Sequence, residues 1–144
     1  MSASPLDSNH LAVDPLLRAR LGELAPAAAV GGFVEYMRWL DQPDAATHVW
    51  AYYGGDRLDE TSPHQAILRQ SWEVVIASTP ALVAGGADLS GHGALMSILI
   101  RGLAGHVLVG GIKPMKREQD PDAMRYGNGA VISTLAFSIP IEMR

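Results

Sequence analysis

Residues 65–77 (QAILRQSWEVVIA) decide how this chain is read, because apolar and polar side chains alternate through them. Leu68, Trp72, Val74 and Ile76 fall on one face, and Arg69, Ser71, Glu73 and Val75 on the other. A period of two sustained this long predicts a half-buried strand. At 88–105 (DLSGHGALMSILIRGLAG) the spacing turns helical. Leu95, Leu99 and Leu103 gather with Met96 and Ile100, while Ser97 and Arg101 face away, so an amphipathic helix lying on a sheet is expected. Ile98 sits off that stripe, near the polar side; an exposed Ile is ordinary on its own, and a partner surface is the sharper reading. Period two returns at 130–143 (AVISTLAFSIPIEM), with Val131, Leu135, Phe137, Ile139, Ile141 and Met143 on one side. No catalytic motif interrupts this plan, which favours an assembly protein over an enzyme.

The flanking segments are less regular. Residues 1–12 are polar and rich in small side chains, and are expected to be frayed or pinned only in an assembly. Asp14-Pro15 reads as a helix start, Asp supplying the cap oxygen and Pro taking the first helical position. Leu16, Leu17, Leu21 and Leu24 form its stripe. Residues 27–32 read as a connector, and 33–40 as a short helix with Phe33, Tyr36, Met37 and Leu40 apolar, stopped by Gln42-Pro43-Asp44. A strand follows at 48–54 (HVWAYYG). Gly54-Gly55-Asp56 is expected to turn the chain into a polar surface loop at 57–64 (RLDETSPH). Gly105 is the expected left-handed cap of the third helix. Residues 113–118 could pair as an edge strand, and Asn128-Gly129 is a hairpin dipeptide feeding the last strand. Pro140 puts that strand's end at an edge or beyond the ladder.

Composition removes several classes of function. At 144 residues with 48% hydrophobic and 18% charged side chains, the chain is expected to fold as one globular domain spanning 1–144. It has no cysteine, which excludes disulfides, thiolate metal sites and cysteine nucleophiles. No secretory signal opens it, and no apolar run reaches the ~18 residues of a membrane span. The net charge is −4 and the only lysines are Lys113 and Lys116, a poor endowment for gripping phosphate backbones.

Catalytic chemistry finds little support. His10, His48, His64, His92 and His106 show no metal-ligand spacing and are expected to be solvated or capping. His64 shares a loop with Asp59 and Glu60, a pattern that superficially suggests acid–base work but is common in polar loops. No GxSxG elbow surrounds a serine, and Gly91-His92-Gly93 matches no phosphate-loop pattern. Trp39, Trp50 and Trp72 are expected in the core. No cofactor, metal or catalytic residue is expected.

A pattern of four parts resembles the phage tail terminator (tail completion) family, of the small α/β type found in Mu-like and lambda-like phages and prophages. A helical amino-terminal segment precedes His48-Val49-Trp50-Ala51-Tyr52-Tyr53 and a Gly-Asp. A polar loop leads to Arg69-Gln70-Ser71-Trp72-Glu73-Val74-Val75-Ile76. An acidic, glycine-containing linker and a helix close in Leu103-Ala104-Gly105-His106, where many members carry tryptophan in place of His106. A variable strand and a glycine turn then lead to Leu135-Ala136-Phe137-Ser138-Ile139. Residues 14–143 are covered.

The resemblance implies an α+β fold, a mixed, mainly antiparallel sheet of four to five strands packed by two to three helices. It implies a hexameric ring of identical subunits that caps the tail tube, stops its polymerisation and presents a surface to the head-side connector. Its partners would be itself, the tail tube protein and that connector, with no membrane and no sequence-specific nucleic acid. DNA would only pass through the lumen. The location would be the head-proximal end of the virion tail, reached from the host cytoplasm. A neck or head–tail joining protein fits the same features, and a small α/β ligand-binding domain or enzyme is the remaining alternative. A closing ring needs a heterologous interface. The candidates for it are Arg57, Asp59, Glu60, His64, Ile98, Arg101, Arg117 and Arg125, with charge reversal at Arg57 or Arg117 expected to leave the subunit folded.

Overall fold

The computed structural model describes residues 8–61, 66–109 and 113–143. Its elements run α1 (Val13–Leu24), β1 (Ala29–Gly31), α2 (Phe33–Asp41), β2 (His48–Thr61), β3 (Ala66–Ser78), β4 (Ala81–Val83) and β5 (Gly86–Asp88). They continue with α3 (Ser90–Leu103), β6 (Lys116–Arg117), β7 (Arg125–Gly127) and β8 (Ala130–Met143). The main sheet has the order β1-β2-β3-β8-β6, and β7 pairs with β8 as well. β6 opposes Phe137 and Ser138 while β7 opposes Val131 and Ile132, so both lie along the flank of β8 that β3 leaves open. Only β1–β2 is parallel. The fold is therefore α+β, with a mixed, mainly antiparallel sheet five positions wide. β4 and β5 form a separate hairpin.

Helices cover both faces of this sheet. On one face α1 and α3 bring Leu17, Leu21, Leu99 and Leu103 against Trp72, Val74, Ile76, Leu135, Phe137 and Ile139. On the other, α2 lays Tyr36 and Trp39 over Trp50, Val75, Ala77 and Ile132. All three tryptophans are buried, as their sequence context suggests. Val75 is not on a polar outer face, because α2 covers the second side of β3 at that level. The rings under α2 form a continuous floor: Tyr36 stacks on Trp50 at 4.9 Å and on Tyr52 at 5.9 Å, and His48 stacks on Trp50 at 4.9 Å. Such pairs contribute on the order of 1 kcal/mol beyond their area.

Local signals at α3 and β8 hold. α3 buries Leu99 and Leu103, Leu95, Met96 and Ile100 pack partly against the same core, and Gly105 follows with a φ of 79°. Asn128 and Gly129 both have positive φ (55° and 76°), the geometry a two-residue hairpin turn requires. Pro140 pairs with Arg69 on one flank, while β6 reaches only Ser138 on the other, which accommodates its missing N–H.

Elsewhere the structure departs from the expectation. Residues 57–61 are strand, not loop, because β2 runs straight past Gly54-Gly55-Asp56. A bulge between Tyr53 and Gly55 takes up the extra residue, and Gly55 adopts a φ of 103° that only glycine takes easily. Residues 27–32 contain β1, whose three residues exist as a strand only because β2 offers an edge. α1 begins at Val13 with no side-chain cap; Asp14 lies inside the first turn and pairs with Arg18 at 2.8 Å. Residues 8–12 are pinned by the chain's own sheet: the His10 carbonyl accepts from Gln70 Nε2 at 2.8 Å, and His10 Nε2 lies 2.8 Å from Asp56 Oδ2.

Candidate assembly surface

The strand pattern places Arg57 and Arg69 directly opposite one another on β2 and β3, on the sheet face that carries α2. α2 stops short of this end, so the face stays open. The result is a groove of about 530 Å³ lined by Gly54, Arg57, Arg69, Glu73, Glu118 and Asp120 among others. Arg69 Nη1 donates to Glu118 Oε1 at 3.2 Å, and Ser138 Oγ donates to the same oxygen at 2.6 Å. Arg57 has no hydrogen-bond or ion-pair partner among the described residues. Like charges directly opposed across an antiparallel pair destabilise it, but here Glu118 pairs with Arg69 and Arg57 is exposed to water, so the opposition is relieved within the subunit.

The second open surface is the outer side of α2. Of its sequence stripe of Phe33, Tyr36, Met37 and Leu40, folding buries only Tyr36. Tyr36 and Trp39 face the aromatic floor, which leaves Phe33 and Val34 each 56% exposed, with Met37 and Leu40 also outside. Glu35 closes the amino end, accepting from the Gly32 N–H at 3.2 Å, and backbone hydrogen bonds hold its carboxyl below the usual range. Asp41 closes the carboxy end and lines an open cleft of about 420 Å³ with Asp44 and His48. His48 Nε2 sits 2.6 Å from Asp44 Oδ1, and this contact lowers the Asp44 pKa. Among the described side chains, Asp41 is the one carboxylate with no partner.

The remaining sequence candidates scatter. Ile98 is 47% exposed and Arg101 is exposed, both on the outward side of α3. Arg117 is engaged within its own subunit: Nη1 donates to the Glu118 and Ala136 carbonyls at 2.7 and 3.2 Å and lies 2.6 Å from Asp120, and the guanidinium covers the Phe137 ring at 5.5 Å. Arg125 donates to the Tyr36 hydroxyl at 2.7 Å. His64 and the side chains of Asp59 and Glu60 lie outside the described residues.

His92 is neither solvated nor capping. It is 5% exposed, with Nδ1 2.6 Å from Ser78 Oγ and Nε2 2.8 Å from Ser133 Oγ, and burial lowers its pKa. The trio resembles a nucleophile and its base, but its burial leaves a substrate no approach. It pins the start of α3 to β3 and β8. Further along the sheet, burial and a hydrogen bond to Asp56 push the Tyr53 phenol up to about 12. Among the described residues no group of three His, Cys, Asp or Glu could hold a metal ion, and no helix is long and apolar enough to cross a membrane.

No family model matches the chain, and no curated protein does. Among solved structures, the chain is similar to one from the virion of a native gene transfer agent particle, at 19% identity and a TM-score of 0.59. The match covers 98% of this chain and 100% of that one. At that identity the likeness concerns the fold, which the two chains share from end to end.

Proposed function

We propose that this chain is a structural virion protein that acts as a tail terminator, a single domain over 1–144. It forms a ring, a hexamer, on the end of the tail tube, stops tube growth by geometry, and offers its other side to the head-side connector. The observation that carries this reading is the end-to-end likeness to a chain of a gene transfer agent virion. The open sheet face and the bare side of α2 support it, since a subunit destined for a ring must keep surfaces that its own core leaves uncovered. The acidic, lysine-poor composition suits a lumen through which DNA passes without sticking. The same likeness fits a neck or head–tail joining protein of the virion.

One experiment separates these readings. The mass of the purified protein is measured, and particles made without it are imaged. A ring-sized species together with overlong, headless tails is the expected result. Tails of normal length that fail to join heads would replace termination with head–tail joining. Intact particles of normal length would overturn both.

A further inference from the structure

We infer that residues 8–12 form a strap that opens and closes on the β2–β3 ladder as one unit while the sheet beneath stays folded, with the contact between His10 and Asp56 as its latch. β2 and β3 build the seat under it. Tyr53 pairs with Trp72 and Asp56 with Gln70, two residues on one face of β3, so the bulge after Tyr53 brings Asp56 round to the face that carries Tyr53. Strict alternation without the extra residue would put Gly55 there, and re-aiming a side chain is a known use of bulges. Asp56 thereby meets His10, whose Nε2 lies 2.8 and 3.1 Å from the two carboxylate oxygens. The Tyr53 ring stands edge-on to the imidazole at 5.7 Å. Gln70 interrupts the apolar run of Leu68, Trp72, Val74 and Ile76. Both ends of its amide are used: Oε1 accepts from Trp72 Nε1 and Nε2 donates to the His10 carbonyl, each at 2.8 Å.

Polar contacts hold the strap, not burial. Residues 8–11 are exposed, Leu11 by 45%, and burial begins abruptly at Val13, which is 0% exposed. α1 starts with no side-chain cap. Strap and helix are joined by two turn hydrogen bonds, from the Ala12 N–H to the Asn9 carbonyl at 3.1 Å and from the Asp14 N–H to the Leu11 carbonyl at 3.0 Å. A segment with exposed side chains and a few polar anchors sits at the low end of local stability and opens without unfolding the rest. Gln70 is 0% exposed with the strap closed. Lifting the strap lets water replace the His10 carbonyl on its amide, so opening strands no buried donor. The strap thus sets whether a polar seat, shaped for a main-chain carbonyl and a ring N–H, is covered or offered at the surface.

The test is amide hydrogen exchange of the full chain, followed by NMR at rising urea below the unfolding transition. The Leu11 and Ala12 amides donate to the Asn9 side chain and carbonyl. Their exchange should barely respond to urea, because lifting the strap exposes little surface, whereas Val74 and Ile76 should follow global unfolding. His10→Ala and Asp56→Ala should each speed exchange at Leu11 and Ala12 by about three- to tenfold. The two changes combined should add nothing to either alone, since both remove the same contact. Ile76→Val, which weakens the core but not the seat, should speed exchange at Val74 and leave Leu11 and Ala12 as they were. A urea response at Leu11 and Ala12 equal to that of Val74 would overturn the strap, because it would then open only with the whole fold. Unprotected exchange at both amides would overturn its closed state. Unchanged strap exchange in His10→Ala and Asp56→Ala, or independent effects that add, would overturn the latch.

Discussion

Replacing Trp72 tests the central packing arrangement, because the indole serves both as filling and as a hydrogen-bond donor. It is 1% exposed, and its Nε1 donates to Gln70 Oε1 at 2.8 Å. Gln70 is fully buried, and its amide in turn donates to the His10 carbonyl at 2.8 Å. Trp72→Ala therefore removes a large buried side chain, at a cost of about 3–5 kcal/mol. It also strands the Gln70 carbonyl oxygen, at roughly 1–3 kcal/mol more. Against a total stability of about 5–15 kcal/mol, this threatens the folded state itself. Trp72→Phe keeps a ring but loses the donor, so its cost should be closer to the ~1–3 kcal/mol of the orphaned acceptor. Urea unfolding followed by circular dichroism, at one protein concentration because association adds apparent stability, measures both variants. The reasoning is refuted if Trp72→Ala unfolds at the wild-type midpoint, or if Trp72→Phe costs as much as Trp72→Ala.

The buried His92 should impose a pH dependence. Its folded pKa lies below its ordinary 6.5, so the unfolded chain binds the proton more readily. Its contribution is complete above about pH 6.5 and declines as pH falls from there towards the lowered folded value. His92→Asn should flatten the change in urea midpoint between neutral and mildly acidic pH; an identical slope would count against the burial argument. At Gly31 an added Cβ would lie 2.8 Å from Glu35 Cβ and 3.3 Å from Trp50 Cδ1. Gly31→Ala should thus push α2 off its floor and cost about 1–3 kcal/mol in a thermal melt. Arg117→Glu should destabilise the subunit by about 1–3 kcal/mol, contrary to the expectation from sequence, because Arg117 is bound to Asp120, Phe137 and the Ala136 carbonyl. A soluble Arg117→Glu subunit with unchanged stability would return that residue to the list of interface candidates.

Much of the fold is legible in local spacing. β3, α3 and β8 each repeat their apolar positions over three or more periods, and Asn128-Gly129 carries its turn preference in two residues. The candidate surface is legible only in fragments. Arg57 stands out as a charge outside any apolar pattern, but its opposition to Arg69 follows from a cross-strand register set by the bulge at Gly54. Asp41 carries no signal at all, since being without a partner is a property of its surroundings.

By itself the sequence determined the type of the long periodic segments, the helices α1, α2 and α3 and the strands β3 and β8, and which side chains are apolar, because those preferences act between residues two to four positions apart. Tertiary structure decided which of the apolar faces is buried. α2 offers Met37 as readily as Trp39, and the floor of Trp50 and Tyr52 selects Tyr36 and Trp39, leaving Met37 outside. β1 is a strand only because β2 has an edge to lend it. His92 is buried because Ser78, 14 residues away, and Ser133, 41 residues away, supply its hydrogen bonds. Such choices depend on partners distant in the chain, and periodicity carries no information about them.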